Sequence, residues 1–516
     1  MTAGSMTAVA ITPVLRAEWT KFRTVRGWVV GMLAAALLTA GVGLLSHGEC
    51  GGQQQPGGQQ QPGGPVTVGG PQCSSPLGPG GEAVTDSFYF ARQPLGPDGS
   101  ITARLTSLAS PGGWSKGGIM IKASTTPGSA YAAMMVTGGH GVRMQWDYTQ
   151  DTPGLSGAVS AAAPRWLRLS RSGDTVTGYD SADGTRWVKV GKATLAGLPP
   201  MAQAGLFAAS PASSATTSTS VGGATAAGAR TRATATFDHI ATSGARRAGP
   251  GPAGTRPASV WAGTSVGGSS GGPAGEYRQA GGTVTVTGSG DIAPAIPDQE
   301  GSVSGALVGA FAGLIVVIVL GAVFATAEYR RGLIRVTLAA TPHRGRVLAA
   351  KAAVIAAVTF AVALPAGWIA QLIEEPMARS RGIFIDPVSI LTEVRVLAGT
   401  AALLALGAVL AVALGVIARR GAAAVTAAVG VIVFPYFFAV PLAVLPAGAA
   451  DWLLRVTPAA GFAIQQAYPR YPQVAAAYTT GSGYYPLSPW AGFAVLCAWT
   501  AAALAVAAWL LRRRDA

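Results

Sequence analysis

The stretch that decides the fold is residues 311–351, which read FAGLIVVIVLGAVFATAEYRRGLIRVTLAATPHRGRVLAAK. An uncharged apolar run over residues 302–327 ends at Glu328, a basic segment over residues 328–351 follows, and a second apolar run begins at Ala352. A helix needs about 20 apolar residues to cross the hydrocarbon core of a bilayer. Because lysine and arginine in short loops resist translocation, the basic segment predicts a cytosolic hinge between two transmembrane helices.

The composition of the whole chain favours a membrane protein. Charged residues make up 11% of the 516 residues, against about 25% in an average soluble domain. A net charge of +15 would suggest nucleic-acid binding in a soluble protein. Here many basic residues flank apolar runs, as at Arg419–Arg420 and Arg512–Arg514, so we interpret them as a topology signal that also favours anionic membrane lipid. We expect no nucleic-acid partner.

The apolar runs predict an α-helical protein of the plasma (cell inner) membrane with six transmembrane helices and both termini in the cytosol. The predicted spans are residues 27–46, 302–327, 352–373, 396–418, 421–445 and 490–511, followed by a basic tail at 512–516. Residues 1–26 carry Leu15, Trp19, Phe22 and Val25 at helical spacing, which predicts an amphipathic helix in the membrane interface. The run at 27–46 is long and lacks a cleavage pattern, so we favour an uncleaved anchor over a signal peptide.

The segment between the first two spans, residues 47–301, is predicted to be extracellular. Within 83–243, apolar and polar residues alternate, as in Ile119 and Ile121 against Met120 and Lys122, or Val142, Met144, Trp146 and Tyr148 against their neighbours. This period is typical of strands with one buried face and predicts an all-β antiparallel sandwich. Residues 47–82 and 244–301 are rich in Gly and Pro and are predicted linkers, the second with a strand-like piece at Thr283–Thr287.

The chain has three cysteines, too few for a disulfide framework. Cys50 and Cys73 flank the Gly/Gln/Pro tract on the predicted outer side, where a disulfide between them could persist. Two free thiols are the alternative, since a flexible tract does not fix the geometry that a disulfide requires.

The sequence has no motif for nucleotide binding or hydrolysis. It lacks the phosphate-binding G-x-x-x-x-G-K-[ST] loop and the H-E-x-x-H, C-x-x-C and G-x-S-x-G motifs. We therefore expect no catalytic residue, metal site or cofactor in this chain. The interiors of the predicted spans also lack ionisable residues, which argues against an ion-coupled carrier and favours an amphipathic or apolar cargo.

Part of the predicted sandwich resembles concanavalin-like (laminin-G-like) jelly-roll domains. The resemblance lies in Gly117–Lys122, Tyr131–Met134 and Ser181–Trp187. Many such domains bind sugars, so the resemblance implies candidate ligand residues that could stack on a saccharide: Trp146, Tyr148, Trp166 and Trp187. The favoured alternative is that these aromatics fill the sandwich core.

The amino-terminal helix, the six spans and the loop after the second span together resemble the type-2 (ABC-2 type) permeases of ATP-binding-cassette exporters. The resemblance implies a cytosolic ATPase subunit, which would bind ATP and Mg, and a permease homodimer or heterodimer. It also implies ATPase-coupling residues in the loop: Glu328, Tyr329, Arg330, Arg331, Gly332, Arg335, Thr341 and Pro342. In the alternative interpretation, the arginines only enforce topology. The large insert departs from such permeases, which often have a short loop there.

Two functions follow from these patterns. The first is an exporter permease that moves an amphipathic or apolar cargo with ATP hydrolysed by its partner. The second is a membrane-anchored protein whose sandwich binds or senses an external glycan or peptide. Co-purification of an ATPase with the tagged chain would distinguish them.

Overall fold

The computed structural model describes residues 3–42, 66–67, 75–157, 159–218, 224–245, 261–267, 275–295, 307, 309–330, 343–380, 385, 387–439, 447–474, 478 and 483–513. Within these residues the chain forms a helical part and a β part. The β part is inserted between the second and third helices.

Most of the helices match apolar runs of the sequence. They are α1 (Ala3–Thr24), α2 (Arg26–Gly41), α3 (Gly309–Arg330), α4 (Arg344–Ser380), α5 (Ile390–Ala418), α6 (Gly421–Ala428), α7 (Phe434–Ala439), α8 (Ala447–Val456) and α9 (Pro489–Arg513). A π-helical turn, Val429–Val433, joins α6 to α7, and a 3-10 helix, Pro458–Gln465, follows α8.

Within the described residues, five helical segments are long and apolar enough to cross a membrane: Gly309–Tyr329, Arg344–Ser380, Ile390–Ala418, Gly421–Ala439 and Pro489–Arg513. The predicted first span corresponds to α2, which is 16 residues long and follows α1 at a bend of 77°. It adds a sixth span if Thr12–Thr24 and Arg26–Gly41 are counted together.

Helix α4 differs most from its predicted bounds. The sequence predicted a span at 352–373 and a charged loop from Glu374, but the helix runs from Arg344 to Ser380, with Pro365 and Pro376 inside it. Its 37 residues extend about 55 Å at about 1.5 Å per residue, so its ends project beyond a hydrocarbon core of about 30 Å. The polar residues at both ends of α4 were predicted to be loop because they lie outside the apolar run. The helix nevertheless continues through them.

The β part contains strands β1 (Val66–Thr67), β2 (Val84–Asp86), β3 (Phe88–Ala109), β4 (Lys116–Lys122), β5 (Tyr131–Thr137), β6 (Val142–Trp146), β7 (Gln150–Pro153), β8 (Arg165–Ser172), β9 (Thr175–Ser181), β10 (Val188–Thr194), β11 (Ala202–Ala209), β12 (Ser213–Ser218), β13 (Ala224–Ala229), β14 (Ala233–Ala245), β15 (Ala262–Val266), β16 (Gly275–Ala280), β17 (Thr283–Gly288) and β18 (Ile292–Pro294).

The long strand β3 organises an antiparallel sheet whose main order is β10-β9-β8-β3-β11-β4-β5-β6-β7, and it also pairs with β14 and β15. The sheet folds over on itself, which brings Gly178 on β9 against Met134 on β5. A Cβ at Gly178 would lie 2.7 Å from the sulfur of Met134, so glycine permits this close approach. A buried apolar core lies between the two layers.

Three expectations for the β part are corrected. Residues 244–301 were predicted to be a linker with one strand-like piece at Thr283–Thr287, which is β17. They also contain β15, β16 and β18, and the side chains of Val284, Val286 and Ile292 are buried. Strand β4 is buried on both faces rather than one, since a second apolar cluster covers its other side. The alternation through residues 142–148 ends at Trp146, where left-handed Asp147 and Tyr148 turn the chain and send Tyr148 into that second cluster.

The turn residue Asp147 makes the stability of the β part depend on pH. Burial raises the pKa of Asp147 to about 6, above about 3.9 for an unfolded aspartate. The folded state therefore binds this proton more tightly, and its contribution to stability is complete below about pH 4 and is lost as pH rises through about 6. We expect Asp147→Asn to remove this loss, measured by calorimetry of the full chain in detergent across that range.

Asp183 provides a control of opposite sign. The backbone N–H groups of Arg186 and Thr185 donate to its carboxylate and hold its pKa well below the usual range. Its contribution is present above the unfolded pKa and is lost at lower pH. If the loss of stability between about pH 4 and 6 persists in Asp147→Asn and disappears in Asp183→Asn, the assignment to Asp147 is wrong.

Candidate functional site

Four charged side chains meet where α3 ends and α4 begins. Lys351 on α4 donates to Glu18 Oε2 at 2.8 Å and to Glu328 Oε1 at 2.7 Å. Lys21 donates to Glu18 Oε1 at 2.7 Å and to the same Glu328 oxygen at 3.0 Å. Two carboxylates and two ammonium groups balance each other. We call Glu18, Lys21, Glu328 and Lys351 the ion cluster, and the end of the helical part that contains it the loop end.

The ion cluster is largely buried. Glu18 is 1% exposed, Lys351 4% and Glu328 8%. The Lys351 ammonium also lies 4.8 Å from the centroid of the Phe324 ring, against which Phe22 packs edge-on. Removing one partner of such a buried pair leaves an uncompensated charge and costs about 3–5 kcal/mol. The cluster therefore fastens α1 to both helices that flank residues 331–342.

The local sequence explains how the cluster forms. Glu18 and Lys21 stand three residues apart on α1, a spacing at which helical side chains meet, while Glu328 lies in the last turn of α3 and Lys351 in the second turn of α4. Glu328 is one of the predicted coupling residues, whereas Glu18, Lys21 and Lys351 were assigned no role. The sequence signal for this cluster was the pair formed by Glu18 and Lys21 in the otherwise basic amphipathic helix α1.

The predicted coupling residues have different positions. Glu328 is turned into the helical part rather than toward the surface. The Tyr329 ring contacts the Arg419 guanidinium, whose Cζ lies 5.6 Å from the ring centroid, and the backbone of Arg330 ends α3. The remaining candidates lie outside the described residues, so their role stays a prediction: Arg331, Gly332, Arg335, Thr341 and Pro342. Cys50 and Cys73 also lie outside the described residues.

The aromatic candidates of the β part have structural contacts. Tyr148 is fully buried, and Trp146 packs against the core between the layers. The Arg168 Cζ lies 3.9 Å from the ring centroid of Trp187, and the Arg104 Cζ lies 5.7 Å from that of Trp166. Tyr148 is thus a core residue, as the favoured alternative predicted, and the ligand role of Trp146, Trp166 and Trp187 stays a prediction.

The β part contacts the helical part at the end opposite the ion cluster. The Gln473 side chain donates to the backbone oxygens of Tyr148 and Thr149, at 3.4 and 3.1 Å. A cavity of about 250 Å³ lies beside this contact. Its walls come from the ends of the β part, the start of α5 and the chain after the 3-10 helix: Glu82, Ala83, Pro294, Ala295, Pro387, Val388, Ser389, Thr392, Ala467, Tyr468, Pro469 and Tyr471.

Helix α4 carries a buried carboxylate that the sequence placed in a loop. Glu374 is 1% exposed, and neither of its carboxylate oxygens has a hydrogen-bond partner among the described residues. It lies on the same helix face as buried Ala370 and Ala378. The predicted charged loop from Glu374 is therefore wrong at this position, because the helix continues to Ser380. Among the described residues, no group of three His, Cys, Asp or Glu side chains could hold a metal ion.

The family model described as ABC-2 family transporter protein matches residues 178–516. The chain belongs to this family. It is thus the permease subunit of an ABC transporter, a transport component that is not itself catalytic. The apolar helices agree with a multi-pass membrane protein.

Other comparisons add little to the description of this ABC-2 permease. No curated protein matches it. It is similar to a functionally unknown protein from Saccharomyces cerevisiae (12% identity, 30% of this chain and 72% of that chain, TM-score 0.19). It is also similar to the GH43 protein BlXynB from Bacillus licheniformis (15% identity, 26% of this chain and 26% of that chain, TM-score 0.18). A third similar structure is scytalido-glutamic peptidase (10% identity, 40% of this chain and 98% of that chain, TM-score 0.25). These TM-scores support no inference about fold or activity, and the concanavalin-like resemblance stays a prediction.

Glu374 generates a prediction for the stability of the permease. The folded state must either keep this carboxylate charged away from water or take up a proton, and both are costly. We expect Glu374→Gln to raise the free energy of unfolding by about 1 kcal/mol or more, seen as a higher thermal midpoint in detergent. In the matched control Glu375→Gln, the side chain is 45% exposed and paired with Arg379, so a change of less than about 0.5 kcal/mol is expected. A lower midpoint for Glu374→Gln would show that the carboxylate has a stabilising partner.

Proposed function

We propose that this permease exports an amphipathic or apolar cargo with energy from a separate ATPase subunit, which binds ATP and Mg and docks at the loop end. The observation that carries the proposal is the ion cluster. It joins α1 to α3 and α4, the two helices that flank residues 331–342, so a partner that displaces these residues would move the three helices together. Movement of such a unit against the rest of the bundle gives access to alternate sides of the membrane.

The distribution of basic residues supports a cytosolic loop end. Arg344 on α4 donates to the backbone oxygen of Leu511 at 2.6 Å, and Arg419 contacts Tyr329. The basic end of α5 therefore lies beside the end of α3, and the basic end of α9 lies beside the start of α4. Their clustering favours the inner side of the plasma membrane, with both termini in the cytosol and the β part outside.

The lateral surface supports contact with lipid and with a second permease subunit. Helix α2 exposes Val30, Leu33 and Leu37, and α9 exposes Trp490 and Trp509. We propose that lipid covers part of this surface and that a second subunit, in a homodimer or heterodimer, covers the rest.

The coupling role is tested with Glu328→Ala in the full chain, reconstituted with the ATPase that co-purifies with the tagged permease. Because the change leaves Lys21 and Lys351 without one carboxylate, we expect ATP-dependent transport to fall by about tenfold or more. Membrane insertion and ATPase binding should persist. Arg23→Ala removes an exposed positive charge from α1, the helix that carries Lys21, and should leave transport unchanged.

A charge-balanced variant separates coupling from stability. Replacing Lys21 and Glu328 together by alanine keeps the Lys351–Glu18 contact of 2.8 Å, so the thermal midpoint should recover relative to Glu328→Ala. Transport should stay low, because the side chain of residue 328 no longer fastens α3 to α1. If transport recovers together with the midpoint, the ion cluster only stabilises the fold. If no ATPase co-purifies with the permease, the proposed partner is wrong.

A further inference from the structure

The β part buries two lysines at opposite ends of one strand. Lys116 and Lys122 are the first and last residues of β4, and each is 0% exposed. Lys122 pairs with Asp86 on β2 at 2.8 Å, and Lys116 pairs with Asp291, just before β18, at 2.6 Å. The strands β2 and β18 also pair with each other. Both ends of the inserted part are thus fastened to β4.

The Lys122–Asp86 pair has the geometry of a reactive pair. One carboxylate oxygen of Asp86, Oδ2, accepts hydrogen bonds from Lys122, from the Tyr148 hydroxyl at 2.7 Å and from the Gly128 N–H at 2.8 Å. The other, Oδ1, is buried and has no hydrogen-bond partner in the described part of the chain. The Tyr148 oxygen also lies 2.9 Å from Lys122 Nζ. A single phenol therefore contacts both the amine and the carboxylate.

The surroundings of this pair exclude water. Both side chains are 0% exposed, and the buried rings of Phe88, Phe90 and Tyr131 belong to the same part of the core. Charges are costly in such a place, so a neutral amine beside a neutral carboxylic acid becomes accessible. Burial lowers the pKa of Lys122 despite its aspartate partner. It raises the pKa of Tyr148, which stays a proton donor.

We propose that Lys122 and Asp86 form an intramolecular isopeptide bond. One proton passes from the ammonium of Lys122 to the carboxylate of Asp86, which leaves a neutral amine and a carboxylic acid. The Nζ lone pair attacks Cγ and forms the C–N bond. The bond from Cγ to Oδ1 then breaks, and Oδ1 leaves as water with two protons of the original ammonium.

The fixed donors suit each stage of this reaction. Oδ2 becomes the amide oxygen and keeps its hydrogen bonds from Tyr148 and from the Gly128 N–H, which also stabilise the negative charge that develops during attack. The fold holds the amine against the carboxyl group, which replaces a bimolecular encounter with an intramolecular step. The reaction consumes no oxidant and no other reactant, and it is independent of the transport function.

The Lys116–Asp291 pair offers a comparison within the same molecule. Asp291 has a side chain that is 12% exposed, and its Oδ1 accepts hydrogen bonds from Lys116 and from the Ile292 N–H. Among the described contacts, no hydroxyl group bridges this lysine and aspartate. This pair is therefore expected to stay an ion pair.

The test is mass spectrometry of the purified, denatured full chain. The wild-type mass should be lower than the sequence mass by one water, and digestion should yield one branched peptide that joins Lys122 to Asp86. Asp86→Asn should give a product of the same mass as the cross-linked wild type, because asparagine loses ammonia where aspartate loses water. Asp86→Ala and Lys122→Met should abolish the cross-link.

Two further variants address the surroundings of the bond. Tyr148→Phe should lower the cross-linked fraction several-fold, and Asp291→Ala should leave it unchanged. An unmodified wild-type mass, with separate peptides for Lys122 and Asp86, would overturn the proposal without reference to any variant. A cross-link found between Lys116 and Asp291 instead would also contradict it.

Discussion

The contact of Lys351 with Glu18 and Glu328 is the interaction on which the loop end depends. A charge that leaves water needs a partner of opposite sign at hydrogen-bond distance, or the folded state loses several kcal/mol. Lys351 meets this need with carboxylates from two different helices. The position of α1 is thereby fixed against α3 and α4, and an amphipathic helix that could lie freely in the membrane interface becomes part of the bundle.

Patterns that are local in sequence predicted the helical part well. Apolar runs end where polar residues begin, so most helix positions followed from hydropathy alone. The ion cluster did not follow from hydropathy, because its hydrogen bonds join residues that are far apart in the sequence. Lys21 and Glu328 are separated by 307 positions, and Lys351 and Glu18 by 333. Glu328 was recognised by its place at the end of an apolar run, yet a single sequence could not show that it faces inward. Glu374 was missed because a charged residue was taken as the end of the helix.

In the β part, too, contacts between residues far apart in the sequence could not be predicted from local patterns. Alternation identified β4 as a strand but assigned Lys122 to a solvent face, since lysine is seldom buried without a partner. Its partner Asp86 lies on a three-residue strand that the sequence did not predict. The strand-like piece at Thr283–Thr287 was recognised and is β17, but β15, β16 and β18 were hidden for a related reason. They have few apolar residues, and pairing with β3, β17 and β2, respectively, gives each of them its place.

The pairing of β2 with β18 explains how a large insert fits between two neighbouring helices. Asp86 lies opposite Ile292, so the chain enters and leaves the β part at adjacent positions. Helices α2 and α3, which precede and follow the insert, can then pack closely, as they do where Gly309 and Gly313 lie against Thr39. A side chain at either glycine would collide with α2. The insert therefore replaces a short loop without separating the helices that the loop would connect.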